Sequence, residues 1–291
     1  MRYKKPIVIA EIGCNHKGDF QIALNLIKMA KDCGADVAKF QKRNIRKLLN
    51  EDQYNAPHPN MYHSYGNTYG EHREFLEFTQ DQHRELKKYC ENLEIKYSTS
   101  VWDTVSAEEV IELNPAFIKV PSAINTNYEV LKLLRDNYGG DVHVSFGMTT
   151  KEEEDQIVKF FEETDSAKNR LVLYSCTSGY PVAFEDVCLL EISRLKSTYD
   201  SRVKEIGFSG HHLGIAVDLA AYTLGAVWIE RHFTLDRTWK GTDHAASLEP
   251  GGLTKLCRDL NQALYKALSY KDSGILEVEW VQRNKLKYKP H

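Results

Sequence analysis

Residues 7–40 read IVIAEIGCNHKGDFQIALNLIKMAKDCGADVAKF. The stretch opens on a short β-branched run, Ile7–Ala10, and closes on another, Val37–Phe40. An amphipathic segment lies between them. In it Ile22, Ala23, Leu26, Ile27 and Ala30 fall on one helical face, Asp19 can cap the first turn, and Gly34 suits a left-handed stop, so the spacing predicts a helix over Asp19–Gly34. Strand, helix and strand in succession form one βα repeat. The first turn, EIGCNHKGD, is not G-x-G-x-x-G, the glycine pattern that an open doubly wound sheet would favour there.

The same alternation continues outward. Further apolar runs occur at Ile95–Thr99, Phe117–Val120, Val142–Phe146, Leu171–Ser175, Ile206–Ser209 and Val227–Arg231. Seven intervals carry a candidate helix, Thr150–Glu163 among them, and Gly252–Leu268 follows the last strand. Eight βα units in under 300 residues predict an α/β fold, a closed (β/α)8 TIM barrel formed as a single domain over residues 1–291; the open doubly wound sheet is the alternative. The interval from Lys42 to Asp81 is too long for a simple crossover. It contains NAPHPNMYHSYGNTYGEH, and a long loop at that position is expected to cover a site. The basic end, Arg283–His291, reads as a solvated tail.

Composition narrows the partners. Thirty-eight Lys and Arg against 41 Asp and Glu give a net charge of −3, so the basic excess of a nucleic-acid or acidic-membrane binder is missing. No apolar run approaches the roughly 20 residues that span a bilayer. The start, MRYKKPIVIAEIG, has too short an apolar stretch for a signal peptide. The six cysteines are scattered without C-x-x-C spacing and read as reduced thiols, which predicts a cytoplasmic protein.

In a barrel, chemistry collects where strands end. The polar residues at those points include Glu11, Lys39, Gln41, Thr99, Lys119, Ser122, Ser145, Tyr180, Ser209, His211 and His232. His211 and His232 occupy equivalent places on consecutive strands, where two neutral imidazoles could share one divalent metal; the alternative is two structural histidines. Lys39, Lys119, Thr99, Ser122, Ser145 and Ser209 could surround a phosphate or carboxylate. The bland alternatives are a Lys39–Glu11 pair and serines used as turn caps.

The segments IAEIGCNHKGD, GADVAKFQK, SCTSGYP, GFSGHHLGIA and IERHFTLDRTWKGTDHAASLEP span Ile9 to Pro250. In number and order they resemble the sialic acid synthases, which condense phosphoenolpyruvate with a six-carbon sugar. TYGEHREFLEF and TLDRTWKGTDHAASLEP look especially like the animal-type 9-phosphate synthases, which use the sugar 6-phosphate. The resemblance implies that His211 and His232 bind a divalent metal ion, Mn2+ or Mg2+. It implies that Lys39, Thr99, Lys119, Ser122, Ser145 and Ser209 hold phosphoenolpyruvate, that Glu11 stands beside the reacting centre, and that Gln41, Tyr180 and Asp243 face the sugar. It also implies a homo-oligomer. Arg237 and Lys240, close in sequence to Asp243, are candidates for a distal sugar phosphate.

The chain departs from the family pattern on strand four. It reads KVPSAINTN, with Pro121 and Ala123 for glycines and Ile124 for an acid that faces the sugar, so the acceptor pocket is expected to differ. On strand five Phe146 replaces a hydroxyl residue. The sequence stops where the family adds a small antifreeze-like domain that places an arginine over the sugar. Lys42–Asp81 is the candidate to close the pocket instead. Three other readings stay open: a free-sugar synthase, a Schiff-base aldolase with Lys119 or Lys39 as nucleophile, and a non-catalytic relative.

Overall fold

Eight parallel strands pair in chain order and close on themselves: β1 (Ile7–Gly13), β2 (Val37–Lys42), β3 (Lys96–Val101), β4 (Phe117–Val120), β5 (Asp141–Ser145), β6 (Leu171–Cys176), β7 (Glu205–Gly210) and β8 (Trp228–His232). β1 pairs with β8, placing Glu11 opposite His232, so the first and last strand ends meet. The structure is a computed structural model and describes residues 3–164, 166–272 and 274–288. Each strand falls within one or two residues of its sequence expectation except at the C-terminal end of β1. That strand continues to Gly13, which pairs with Phe40 of β2 after a register shift past Glu11.

The helix after β1 spans Phe20–Asp32, with the Asp19 carboxylate accepting from the Ile22 amide at 3.0 Å. Ala23, Leu26, Ile27 and Ala30 are its buried face, while Ile22 is only partly buried. Lys151–Glu162 carries a capping box from Thr150 and Glu153. The expected Gly252–Leu268 helix starts earlier, at Pro250, whose fixed φ suits the first helical position. It changes to a wider winding over Asp259–Leu264.

Strand alternation divides the molecule into two cores. Val8, Ala38, Phe40, Tyr97, Ile118, Val144, Leu173, Phe208 and Ile229 belong to the layer between sheet and helices. Ile9, Val37, Phe117, Val172, Tyr174 and Trp228 fill the barrel interior. The inward positions one pair of residues further along, toward the strand ends, are polar, and they floor the candidate site.

Two expectations are corrected. The Lys42–Asp81 interval is not an open loop: it folds into helices Ile45–Leu48, Glu51–Asn55 and Tyr69–Phe75 with a turn at Met61–His63. Asn44, Asn50 and Thr68 cap the three helices. The basic end is also not simply a tail, since Arg283–Leu286 lies on an exposed helix, Glu277–Leu286; residues 289–291 lie outside the described residues. Among the described residues no helix is long and apolar enough to cross a membrane. All six cysteines are unpaired.

Candidate active site

A cavity of about 400 Å³ opens at the C-terminal end of the barrel. β1 and β2 bring Glu11, Lys39 and Gln41 to it; β3 and β4 bring Ser100 and Lys119; β5 and β6 bring Ser145 and Cys176; β7 and β8 bring Ser209, Glu230 and His232. Ser122, Tyr180, His211 and Asp243 reach it from the loops. Eleven of the fourteen residues singled out in the sequence line this one mouth: Glu11, Lys39, Gln41, Lys119, Ser122, Ser145, Tyr180, Ser209, His211, His232 and Asp243.

The floor is a chain of charges. Lys39 is ion-paired with Glu11 and lies 3.6 Å from Glu230, which is itself ion-paired with Lys119. Lys39 is 1% exposed, Lys119 3% and Glu230 4%, so none of these charges is held by bulk water. Neighbouring groups hold them: Lys39 donates to the Ser100 hydroxyl at 2.8 Å, Ser209 donates to Glu230 at 3.0 Å, and Gln41 donates to Glu11 at 2.8 Å. Burial alone would push the Glu230 carboxyl up; Lys119, Lys39 and the Ser209 hydroxyl outweigh it and hold it well below the usual carboxylate range. Burial lowers the Lys119 ammonium, with Glu230 opposing that shift. The Ser145 hydroxyl is buried without a partner, and an anion at the floor would satisfy it.

Gly13 shapes this corner. Its φ is +53°, and an added Cβ would stand 3.0 Å from the Gln41 amide and 3.1 Å from Glu11. The register of β1 against β2 shifts between Glu11 and Gly13, which turns the chain away once Glu11 is placed.

The ring centroids of His211 and His232 are 5.4 Å apart, and Tyr180 packs 4.3 Å from His211. His211 donates from Nδ1 to the Thr177 carbonyl at 2.9 Å, which leaves a lone pair on Nε2. Burial, then the neighbouring His232, pushes His211 down to about 3, so the ring is neutral. His232 Nδ1 has no hydrogen-bond partner and lies 3.9 Å from an Asp243 oxygen. The neutral His211 ring with its free Nε2, beside a His232 ring with an unpartnered nitrogen, fits a divalent ion. Among the described residues no group of three or more His, Cys, Asp or Glu is arranged to hold one. Further ligands would therefore be water or substrate oxygens. His212 faces away, 3.3 Å from Asp218 behind the strands.

Three expected residues are elsewhere. Thr99 does not line the cavity; it shares the outer face of β3 with Tyr97, and Ser100 stands where Thr99 was expected. Arg237 is turned out of the site, its Nη2 donating to the Ala245 carbonyl at 2.6 Å. Lys240 lies over the Tyr65 ring at 4.9 Å, also outside the cavity lining. Ile124 packs against the hydrophobic core and does not face the cavity, so its replacement of an acid leaves the wall to Pro121, Ser122 and Ala123.

Sequence reading missed Glu230, Ser100, Arg43 and Arg73. Glu230 is two residues before His232 on one strand, so period-two alternation already put both on the inner face. Arg43 immediately follows β2; it pairs with Glu77 at 3.1 Å and stacks 4.0 Å from Trp102.

Comparison with known proteins agrees with this geometry. The chain is 40% identical over 279 residues to human N-acetylneuraminate-9-phosphate synthase, covering 96% of this chain and 76% of that protein. It is 32% identical over 259 residues to N,N'-diacetyllegionaminic acid synthase of Campylobacter jejuni, covering 89% of this chain and 76% of the relative. The crystal structure of N-acetylneuraminic acid synthetase from Leptospira borgpetersenii superposes with a TM-score of 0.81 at 28% identity, over 98% of this chain and 94% of that one. The NeuB family profile matches residues 26–272, which hold strands β2 to β8, and with the barrel and its mouth described above it follows that the chain belongs to the NeuB family.

Proposed function

We propose that the protein condenses phosphoenolpyruvate with an N-acylhexosamine or hexose, as the free sugar or its 6-phosphate, to give a nine-carbon 2-keto-3-deoxy acid and inorganic phosphate. The observation that carries this reading is the buried Lys39–Glu230–Lys119 chain beneath the paired rings of His211 and His232. It offers two cations to an anionic enol ester directly below a position for a polarised carbonyl.

Lys39 and Lys119 would hold the phosphate and carboxylate of phosphoenolpyruvate, with Ser122, Ser145 and Ser209 adding hydroxyl donors. Holding these groups fixes C3 toward the open-chain sugar aldehyde and offsets the repulsion between anions. A divalent metal, Mn2+ or Mg2+, held by His211 and His232 would supply Lewis acidity to that carbonyl. C3 attacks C1 of the sugar, forming the new carbon–carbon bond and leaving a cationic centre at C2. Water adds at C2, and the C2–O bond to phosphate then breaks. Glu11, held by Gln41 and Lys39, is placed to move protons in the addition of water and collapse to the ketone. Gln41, Tyr180 and Asp243 line the side on which the sugar would lie. Asp243 is kept anionic: burial would raise it, but His232, the Thr242 hydroxyl, Arg73 and Arg43 outweigh that effect.

Both lysines are ion-paired, and an ammonium engaged in this way has no lone pair for a Schiff base. The aldolase reading therefore has less support than condensation.

The test is phosphate release from phosphoenolpyruvate with a panel of hexoses, N-acylhexosamines and their 6-phosphates, with and without Mn2+. Acceptor-dependent release and a nine-carbon product are expected. Borohydride trapping with pyruvate, combined with no phosphate release from any acceptor, would replace this reading with the aldolase.

A further inference from the structure

Besides the histidines, four cationic side chains line the cavity: Lys39, Lys119, Arg43 and Arg73. Three have carboxylate partners: Glu11 and Glu230 for the lysines, and Glu77 for Arg43. Arg73 differs. Among the described residues it has no carboxylate within ion-pair distance. Its one hydrogen bond runs from Nε to the Tyr69 hydroxyl at 3.0 Å, with the Tyr69 ring 5.1 Å from the guanidinium carbon. Its two terminal nitrogens are unengaged, although the residue is half-buried at the cavity wall.

Its position sets it apart from the floor. Lys39 and Lys119 project from strands inside the barrel, whereas Arg73 is carried by the Tyr69–Phe75 helix between β2 and β3. The helix is anchored by the Thr68–Glu71 capping box and by the Tyr69 amide bonding to Ala56 at 2.8 Å. The guanidinium is thus held from one side by Tyr69 and presented to the cavity on the other. A planar fork of free N–H donors suits a phosphate, and a half-buried cation without a counter-charge favours an anionic ligand. Arg73 lines the same cavity as Gln41, Tyr180 and Asp243, the residues assigned above to the sugar.

We propose that Arg73 receives the phosphate at the distal end of the acceptor sugar and makes the enzyme select a hexose 6-phosphate over the free hexose. This rests on the condensation reading above. The role that the sequence suggested for Arg237 and Lys240 passes to Arg73, because those two side chains are engaged outside the cavity.

The experiment compares kcat/KM for N-acetylmannosamine 6-phosphate and for N-acetylmannosamine at saturating phosphoenolpyruvate. Direct calorimetric titration of the phosphorylated sugar accompanies it. The wild type should prefer the phosphorylated acceptor. Arg73→Gln should lower the ratio of the two kcat/KM values about ten- to hundredfold, the size expected for a charged contact, with KM for phosphoenolpyruvate changed less than about twofold. Arg73→Lys should recover part of the ratio, and the Arg237→Ala, Lys240→Ala double variant should keep it. An unchanged ratio in Arg73→Gln, or a wild type with no preference, overturns the proposal while condensation stands. If neither sugar is condensed, the condensation reading falls, and the calorimetry decides separately: weaker 6-phosphate binding in Arg73→Gln supports the anion site, and equal binding removes it.

Discussion

Glu230 joins two lysines that would otherwise repel each other inside the barrel. Glu230→Gln leaves the fold's apolar packing intact but withdraws the charge that both ammonium groups face. Breaking a buried pair in this way costs about 3–5 kcal/mol, because the surviving charges remain desolvated. The variant should therefore melt lower and lose turnover together; an unchanged denaturant midpoint would mean that water reaches the floor and that Glu230 has no such role. The lysines and histidines were legible in the sequence because their chemistry is recognisable in isolation. Glu230 was not, because a glutamate on a strand gives no signal until the inward face is assigned. The same gap explains Thr99. Both Thr99 and Ser100 are plausible donors, and only the pleat decides that Ser100 meets Lys39 while Thr99 joins Tyr97 outside.

Apart from the C-terminal end of β1, the strands are legible to within a residue or two because β-branched runs between amphipathic helices give a strong period signal. The segment after β2 was misread because its helices are too short for an apolar stripe to show. Their legible marks were local: Thr68-x-x-Glu71 and Thr79-x-x-Gln82 are both capping boxes. Packing within this segment is tight at Gly70, where an added Cβ would stand 2.1 Å from the Tyr54 ring. Tyr54 in turn bonds Glu74 at 2.8 Å and carries Arg46 3.8 Å from its ring. Ala is the better helix former by about 0.8–1.0 kcal/mol, but overpacking costs about 1–3 kcal/mol, so Gly70→Ala should destabilise this segment on net. Hydrogen exchange should quicken in residues 44–75 and stay unchanged in the barrel strands. Uniform exchange across the molecule would show that Tyr54 swings aside without loss.

At the scale of the whole protein, several histidines are buried as neutral rings. Burial pushes His16 and His83 down to about 3 and His72 down to about 4, and holds His143 well below its ordinary value. The unfolded chain binds these protons near pH 6.5, so between that pH and the folded values it binds more protons than the native state. Stability is then full above about pH 6.5 and falls as pH drops toward the folded values, by up to about 1.4 kcal/mol per pH unit for each ring. Glu77 and Glu154, raised by burial, oppose this slope, but four rings outnumber two carboxyls. Tm should be level above about pH 7 and drop steeply below about pH 6, with net proton uptake on unfolding. A level Tm down to pH 5 would contradict the neutral-ring assignment. The charge chain at the barrel floor has a different consequence. Glu11 and Glu230 already cancel Lys39 and Lys119, so this part of the site carries no net charge of its own. A multiply charged anion that enters must bring positive charge with it, displace a carboxylate from its lysine, or leave a proton on one. Capture of the anion and acquisition of a cation or proton are then linked equilibria, each strengthening the other by the same factor, and the resting pairs favour ligands that arrive with their charge balanced.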